Sequence, residues 1–358
     1  MHSNDYYVLG IMSGTSVDGV DFAYAKFSKN KTWSFEIINA ETIPYTEVWQ
    51  KNLREAINYQ EDKLKDFDLE YTQLLAKMTQ NFLKKYGIKE LDAICSHGHT
   101  IIHQPAQGIT YQIGNQQLLA KITGFRVICD FRVQDVKLGG QGAPLVPIGD
   151  DLLFAEYDFC LNIGGFANIS FNEGDKRIAY DICATNIVLN HYCELMNLQF
   201  DDNGKIAATH DIDKNLLKKL NNLPFYAENP PKSLGLEWVN KNIFPLIDSF
   251  KLKPSHVIST FTEHMANQIA ATIKKHSKTD AENKILITGG GAFNGYLVNR
   301  INTLSKAEII IPDREIIEFK EALIFGFMGV LRMRNSVNVL SSVTGAAHDH
   351  CSGVIFLV

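Results

Sequence analysis

The feature that most constrains this chain is that its secondary-structure pattern runs through the same series twice. Apolar runs of strand length at Tyr6–Ile11, Val20–Phe27 and Trp33–Thr42 read as a three-stranded meander. Helical periodicity follows over Glu47–Asn58 and Phe67–Tyr86, then a strand at Leu91–Ser96, a helix at Asn115–Thr123 and a strand at Arg126–Asp130. Three short strands recur at Asp158–Ile163, Ala167–Phe171 and Arg177–Ile182, with a helix at Asn186–Met196 behind them. An irregular stretch leads to helix Ser255–Lys275, strand Lys284–Thr288, helix Asn294–Leu304, strand Ala307–Ile311 and helix Glu315–Arg332. A meander followed by alternating helix and strand, twice over, implies two similar α/β lobes with mixed sheets. The length of 358 residues with 45% hydrophobic content exceeds one comfortable core. Domains are therefore expected at 1–150 and 151–358, with the C-terminal tail allowed to pack back onto the first.

Each series opens with a glycine hairpin between its first two strands. In the first, Gly14, Thr15, Ser16, Val17, Asp18, Gly19, Val20 and Asp21 bring glycines, hydroxyls and carboxylates into one connection. Backbone N–H groups of Gly14, Thr15 and Ser16 can converge on a phosphate there, with Asp18 placed to hold hydrated Mg2+. An ordinary polar hairpin loop would have the same composition. The second hairpin carries Gly164 and Gly165, so two facing hairpins are expected to grip a polyphosphate, with nucleotide in the cleft between the lobes. A third cluster, Gly289, Gly290 and Gly291 with Asn294, ends a strand and opens a helix, where backbone approaches a flat or anionic ligand closely. Its spacing is wrong for a dinucleotide fingerprint, and Asn203-Gly204-Lys205-Ile206 lacks the hydroxyl of a Walker loop.

Several classes are excluded by composition. A net charge of −5 leaves no basic field for nucleic acid or an anionic membrane. No apolar run approaches the roughly 20 residues of a membrane span, and the first residues lack signal-peptide character, so a cytoplasmic location is expected. The six cysteines show no C-x-x-C spacing and are expected to be reduced thiols. His97, His99 and His103 invite a metal reading, since alternate strand residues share a face, but no carboxylate or cysteine at ligand spacing completes the set. His348 and His350 are equally well explained by a polar surface turn.

Taken together, SGTSVDGVD (Ser13–Asp21), FRVQDVKLGGQGAPLVP (Phe131–Pro147), NIGGFANIS (Asn162–Ser170), TGGGAFN (Thr288–Asn294) and SVTGA (Ser342–Ala346) resemble the anhydro-N-acetylmuramic acid kinase family, in that family's order across nearly the whole chain. The resemblance implies two RNase H-like lobes of the sugar kinase, Hsp70 and actin-like fold. It also implies an ATP-dependent enzyme that opens the 1,6-anhydro ring of anhydro-N-acetylmuramic acid. O6 is then phosphorylated, giving N-acetylmuramic acid 6-phosphate in peptidoglycan recycling.

Carried over residue by residue, the resemblance implies Asp181 as the base that activates water. Here the family's Asp-Thr-Gly-Pro-Gly-Asn reads Asp181-Ile-Cys-Ala-Thr-Asn186, which keeps the carboxylate and the Asn but alters the turn. Arg132 and Glu321 match positions at the sugar site, a guanidinium suiting the lactyl carboxylate and a carboxylate suiting hydroxyls. An inter-lobe ion pair is the alternative for both. His97 and Thr110 are expected sugar contacts, and His99 stands where the family has Gln. ATP, Mg2+ and an amino sugar are the implied ligands, and a homodimer is the default assembly. The alternatives are a simple hexosamine kinase of the same fold, or a nucleotide-dependent interaction module of Hsp70 or actin type.

Overall fold

The computed structural model describes residues 4–14, 16–277 and 283–358. The chain divides into two compact units, one of Met1–Leu153 with Phe319–Val358, the other of Phe154–Glu318. The second unit ends at Glu318, and the whole of Phe319–Val358 groups with the first.

In the first unit the strands are β1 (Asp5–Ser13), β2 (Gly19–Lys29), β3 (Trp33–Pro44), β4 (Ala93–Gln104), β5 (Ile109–Ile113) and β6 (Val127–Cys129). They lie in the order β3-β2-β1-β4-β6, the meander antiparallel, and β4 parallel to both β1 and β6. The second unit contains β7 (Phe159–Ile163), β8 (Phe166–Glu173), β9 (Lys176–Ala184), β10 (Lys284–Thr288) and β11 (Glu308–Ile310). Their order, β9-β8-β7-β10-β11, repeats the first sheet strand for strand, with the same antiparallel meander and the same parallel pairs. This duplicated order is the fold class expected from the sequence. A last strand, β12 (Val354–Phe356), returns to the first unit and pairs antiparallel with β6.

The first sheet is covered on both faces, which is why β1 is apolar almost throughout. Helix Glu61–Lys85 covers one face, with Phe22 and Phe82 stacked at 5.3 Å between ring centres. Helix Arg314–Met333 enters the first unit at Phe319 and covers the other face. Phe327 meets Phe27 there at 5.3 Å, and the helix comes close because a side chain at Gly10 would overlap the Ala322 carbonyl. In the second unit helix Pro254–His276 is the central packing element, burying Phe261, Met265 and Ile269. All six cysteines are free thiols, Cys351 half-buried and the others buried. Among the described residues no helix is long and apolar enough to cross a membrane.

The one hairpin missing from the sequence reading is β4–β5. The expected strand stopped at Ser96, whereas β4 runs on through His97-Gly98-His99 to Gln104 and folds back at Gly108, which sits at φ 72°. Polar residues and a glycine disguised a strand whose outer half is partly solvated. Several short helices fill what had read as an irregular stretch, among them Lys205–Thr209, Lys214–Asn221 and Leu236–Asn242.

Candidate active site

The first hairpin joins β1 to β2 by a tight turn in which Val17 N–H donates to the Gly14 carbonyl at 3.2 Å. Val17 is held at φ 59°, a costly conformation for a β-branched residue, and its side chain is buried. Asp18 Oδ1 accepts from Ser16 Oγ at 2.6 Å and from Gly19 N–H at 3.0 Å, so one carboxylate oxygen organises the turn and the other is left outside these bonds. Among the described residues no group of three or more His, Cys, Asp or Glu side chains forms a metal cage. Among the described residues Asp18 Oδ2 has no hydrogen-bond partner, and a Mg2+ carried on phosphates needs only one or two protein carboxylates. Thr15 lies outside the described residues. Val20 and Asp21 were expected at the nucleotide but lie within β2. Val20 is fully buried in the core, and Asp21 accepts from Thr42 Oγ1 of β3 at 2.5 Å.

Ser13 at the root of this hairpin begins a buried hydrogen-bond chain. Its Oγ lies 2.8 Å from His99 Nδ1 and 2.8 Å from the Tyr45 hydroxyl, which lies 2.7 Å from the Tyr71 hydroxyl. Burial pulls the His99 pKa down to about 4, so the ring is neutral at physiological pH. His97, two residues earlier, faces another set of partners and packs on Phe325 at 4.6 Å. In a regular strand the two would share a face. Gly98 at φ 75°, where a Cβ would lie 2.5 Å from the Ile113 carbonyl, breaks the alternation and turns the two rings to different neighbours. The premise of the metal reading therefore fails.

Arg132 follows β6 and points back to β4. Its Nε–H donates to His97 Nε2 at 2.7 Å, and Nη1 donates to the Gly142 carbonyl at 2.5 Å. His97 Nδ1 lies 2.9 Å from the Gly98 carbonyl, so Nδ1 carries the proton and Nε2 accepts. Burial, then the Arg132 charge, hold the His97 pKa well below its ordinary value and keep it neutral. Both ring nitrogens expected at the sugar are thus used within the protein. Burial lowers the Arg132 pKa to about 10, with Glu321 and Asp135 opposing, and Nη2 has no partner among the described residues. Glu321 belongs to the same unit as Arg132. Glu321 is exposed at its surface, yet the protein around it raises its pKa by desolvation, with Arg132 and then Lys320 pulling the other way.

Thr110 Oγ1 on β5 is 3.1 Å from His103 Nδ1 and accepts from Gln112 Nε2 at 2.8 Å. Gln112 is 5% exposed and its Oε1 has no hydrogen-bond partner among the described residues, a buried acceptor that calls for a donor. The sequence held no signal for it beyond its place two residues after Thr110. Asp135 was also hidden. It is fully buried, its Oδ2 accepts from Gly142 N–H at 2.6 Å and its Oδ1 from Thr344 Oγ1 at 2.7 Å. One carboxylate thus ties the Gly139–Gly142 loop to the distant Ser342–Ala346 motif, and a side chain at Gly140 would overlap it. His350 is buried with Nε2 3.6 Å from Asp135 Oδ1, so the expected surface turn is correct for His348 and Asp349 only.

In the second unit, the hairpin at Gly164 and Gly165 is bound to the helix that follows β9. Thr185 Oγ1 donates to the Gly164 carbonyl at 2.7 Å, and Thr185 N–H to the Gly165 carbonyl at 2.9 Å. The Gly289–Gly291 loop packs on the same hairpin. A Cβ at Gly291 would overlap the Ile163 side chain, and one at Gly289 would lie 2.6 Å from Asn162 Oδ1. These two glycines therefore have a packing reason, whereas a Cβ at Gly290 would meet nothing nearer than 3.7 Å. Asn294 caps helix Gly295–Ser305 by accepting from Leu297 N–H at 3.0 Å, which occupies the side-chain oxygen expected at the nucleotide. Asp181 is half-buried on β9, its Oδ2 accepting from Leu234 N–H at 2.8 Å. Burial raises its pKa and the Leu234 bond opposes the rise.

A family model described as anhydro-N-acetylmuramic acid kinase matches residues 6–358. The chain belongs to the anhydro-N-acetylmuramic acid kinase family. Relatives carrying that name include proteins of Mannheimia succiniciproducens, 35% identical over 98% of both chains, and of Haemophilus influenzae, 32% identical over 98% of this chain and 97% of the other. A solved activator of 2-hydroxyisocaproyl-CoA dehydratase from Clostridium difficile aligns over 92% of this chain and 97% of its own, at 13% identity and TM-score 0.44.

The strand expected over Arg177–Ile182 continues past Asp181 through Ile182, Cys183 and Ala184, all buried, before the helix starts at Asn186. Asn186 still opens the helix beside the glycine hairpin, its Nδ2 3.5 Å from the Ile163 carbonyl.

Proposed function

We propose that this kinase opens 1,6-anhydro-N-acetylmuramic acid with water and phosphorylates the freed O6 from ATP, with Asp181 as the base that starts both halves by taking the proton of the attacking water. Family membership over residues 6–358 carries the activity, and the raised pKa of a half-buried Asp181 supports its role, since a base is most effective near working pH. Asp181 takes a proton from water, the water oxygen bonds to the anomeric carbon, and the C1–O6 bond breaks. The electron pair left on O6 then attacks the γ-phosphorus, the bond from that phosphorus to the bridging oxygen of ADP breaks, ADP departs, and Asp181 gives its proton to solvent.

Arg132 offers its free Nη2 edge to the lactyl carboxylate, held in place by His97 and Gly142. Thr110, Gln112 Oε1 and Glu321 supply polar contacts for the sugar. A Cβ at Gly14, Gly164, Gly165 or Gly290 would make only ordinary contacts, so these glycines are not forced by packing and are the backbone positions for the phosphates of ATP, and Asp18 is the carboxylate for a phosphate-borne Mg2+. That ion would neutralise charge on the transferring phosphoryl group. A cytoplasmic location and a homodimer complete the reading.

The test is ADP release with ATP and Mg2+, comparing the anhydro sugar with N-acetylmuramic acid and N-acetylglucosamine, in wild type and Asp181→Asn. Turnover with the anhydro sugar alone, lost in the variant, is expected. Turnover only with an open-ring sugar would reduce the protein to a hexosamine kinase, and no response to any sugar would leave a nucleotide-dependent interaction module.

A further inference from the structure

β9 is the edge strand of the second sheet, and at Asp181 its outer side is met by the segment Lys232–Leu234. Asp181 N–H donates to the Lys232 carbonyl at 3.2 Å, and Leu234 N–H donates to Asp181 Oδ2 at 2.8 Å. Two residues of one segment thus fix the backbone and the carboxylate of the same aspartate. The segment is itself anchored. Lys232 Nζ donates to the Phe225 carbonyl at 3.0 Å and sits 4.4 Å from the centre of the Phe225 ring and 5.8 Å from that of Tyr180, the neighbour of Asp181. The Pro224–Ala227 turn that receives Lys232 is fastened to helix Pro254–His276. There His264 lies 2.9 Å from the Tyr226 hydroxyl and 2.6 Å from Asn221 Oδ1.

We propose that Lys232–Leu234 is the strap that positions the base, with Lys232 as its anchor and Leu234 N–H as the bond that decides which carboxylate oxygen faces the attacking water. This rests on the assignment of Asp181 as base. A carboxylate is free to rotate about its terminal bond, and a single fixed donor removes that freedom. With Oδ2 committed to Leu234, Oδ1 is the oxygen left for water. The ordinary reason for a lysine on an aromatic ring, surface cover, does not account for an ammonium that returns to the carbonyl of a turn seven residues upstream. Lys232 and Leu234 touch no reacting atom, so both are positioning residues.

The strap also favours the charged carboxylate, because a hydrogen bond to the ionised form opposes desolvation. Releasing it should therefore push the acid limb of kcat/KM to higher pH, a change that general loosening of the fold would not produce. The experiment measures pH profiles of ADP release, with circular dichroism to verify folding, for Lys232→Met, Lys232→Arg, Leu234→Pro and Asp181→Asn. Lys232→Met and Leu234→Pro are expected to lower kcat roughly 10–100-fold with little change in KM for either substrate, and to move the acid limb upward. Lys232→Arg, which keeps a charged donor, is expected to restore most of the rate. An unshifted acid limb in Lys232→Met, whether or not kcat falls, overturns the strap. Should Leu234→Pro fail to fold, the Met and Arg pair decides alone. Activity surviving in Asp181→Asn would instead remove the base assignment, an outcome distinct from failure of the strap beside an inactive Asp181→Asn.

Discussion

Arg132 Nε and His97 Nε2 lie 2.7 Å apart, a guanidinium donating to a histidine that is kept neutral by burial and by that same guanidinium. The pair is self-consistent: were His97 protonated, Nε2 would lose its lone pair and repel the arginine. The lowered pKa means that this acceptor persists through the neutral range and fails only well below the ordinary histidine value.

Replacing His97 by Phe keeps an aromatic surface against Phe325 but removes the acceptor. Such a loss should cost about 1–3 kcal/mol of transition-state binding, or roughly 5–150-fold in kcat/KM. It should act through KM for the sugar, with KM for ATP unchanged. Steady-state kinetics varying each substrate in turn checks this, and an effect confined to ATP would contradict the role of Arg132.

Asp181→Asn should be inactive, with a loss of at least 10²-fold, yet no less stable than wild type. Burial raises the Asp181 pKa, so at neutral pH the folded protein carries a charge that burial disfavours. Removing that charge while keeping a side-chain oxygen for Leu234 N–H should raise Tm at pH 7. Toward low pH the advantage should vanish, because the wild-type carboxyl is then protonated in the folded state as well. Thermal melts of both proteins across pH test the sign.

Gly290 and Gly291 should separate ligand from packing. Gly291→Ala places a methyl into Ile163 and should destabilise the protein by about 1–3 kcal/mol in denaturant titration. Gly290→Ala meets only ordinary contacts, so its stability should stay within about 0.5 kcal/mol of wild type. Its KM for ATP should nevertheless rise. An unchanged KM would move the nucleotide away from this loop.

His99 makes the first hairpin acid-sensitive. With its folded pKa pulled down to about 4 from an ordinary 6.5, the stability that depends on the neutral ring is complete above the ordinary value and drains away as pH falls toward 4. His99→Gln, which removes the titrating ring, should flatten stability between those limits. Tyr45→Phe should interrupt the chain from Tyr71 to Ser13 and raise KM for ATP while sparing that for the sugar. Denaturation midpoints at a series of pH values, together with nucleotide kinetics, examine both.

What the sequence determined by itself was the architecture and the family. Strand and helix periodicity is local, and its repetition at Tyr6–Thr42 and Asp158–Ile182 already implied two copies of one sheet. The glycine motifs were legible as motifs, but a glycine forced by packing, as at Gly291, and one that packing does not force, as at Gly290, read identically in one dimension. For the same reason their roles were not separable there. Only the tertiary structure decided which histidine met which partner, since one residue at positive φ, Gly98, overrides the strand alternation on which the sequence argument relied. It alone placed Asp135 between Gly142 and Thr344, 209 residues downstream, and set Leu234 against Asp181 across 53. Hydrogen bonds are made by proximity in space, and a buried carboxylate takes whatever donor the fold brings to it; nothing in the local order of residues encodes that choice.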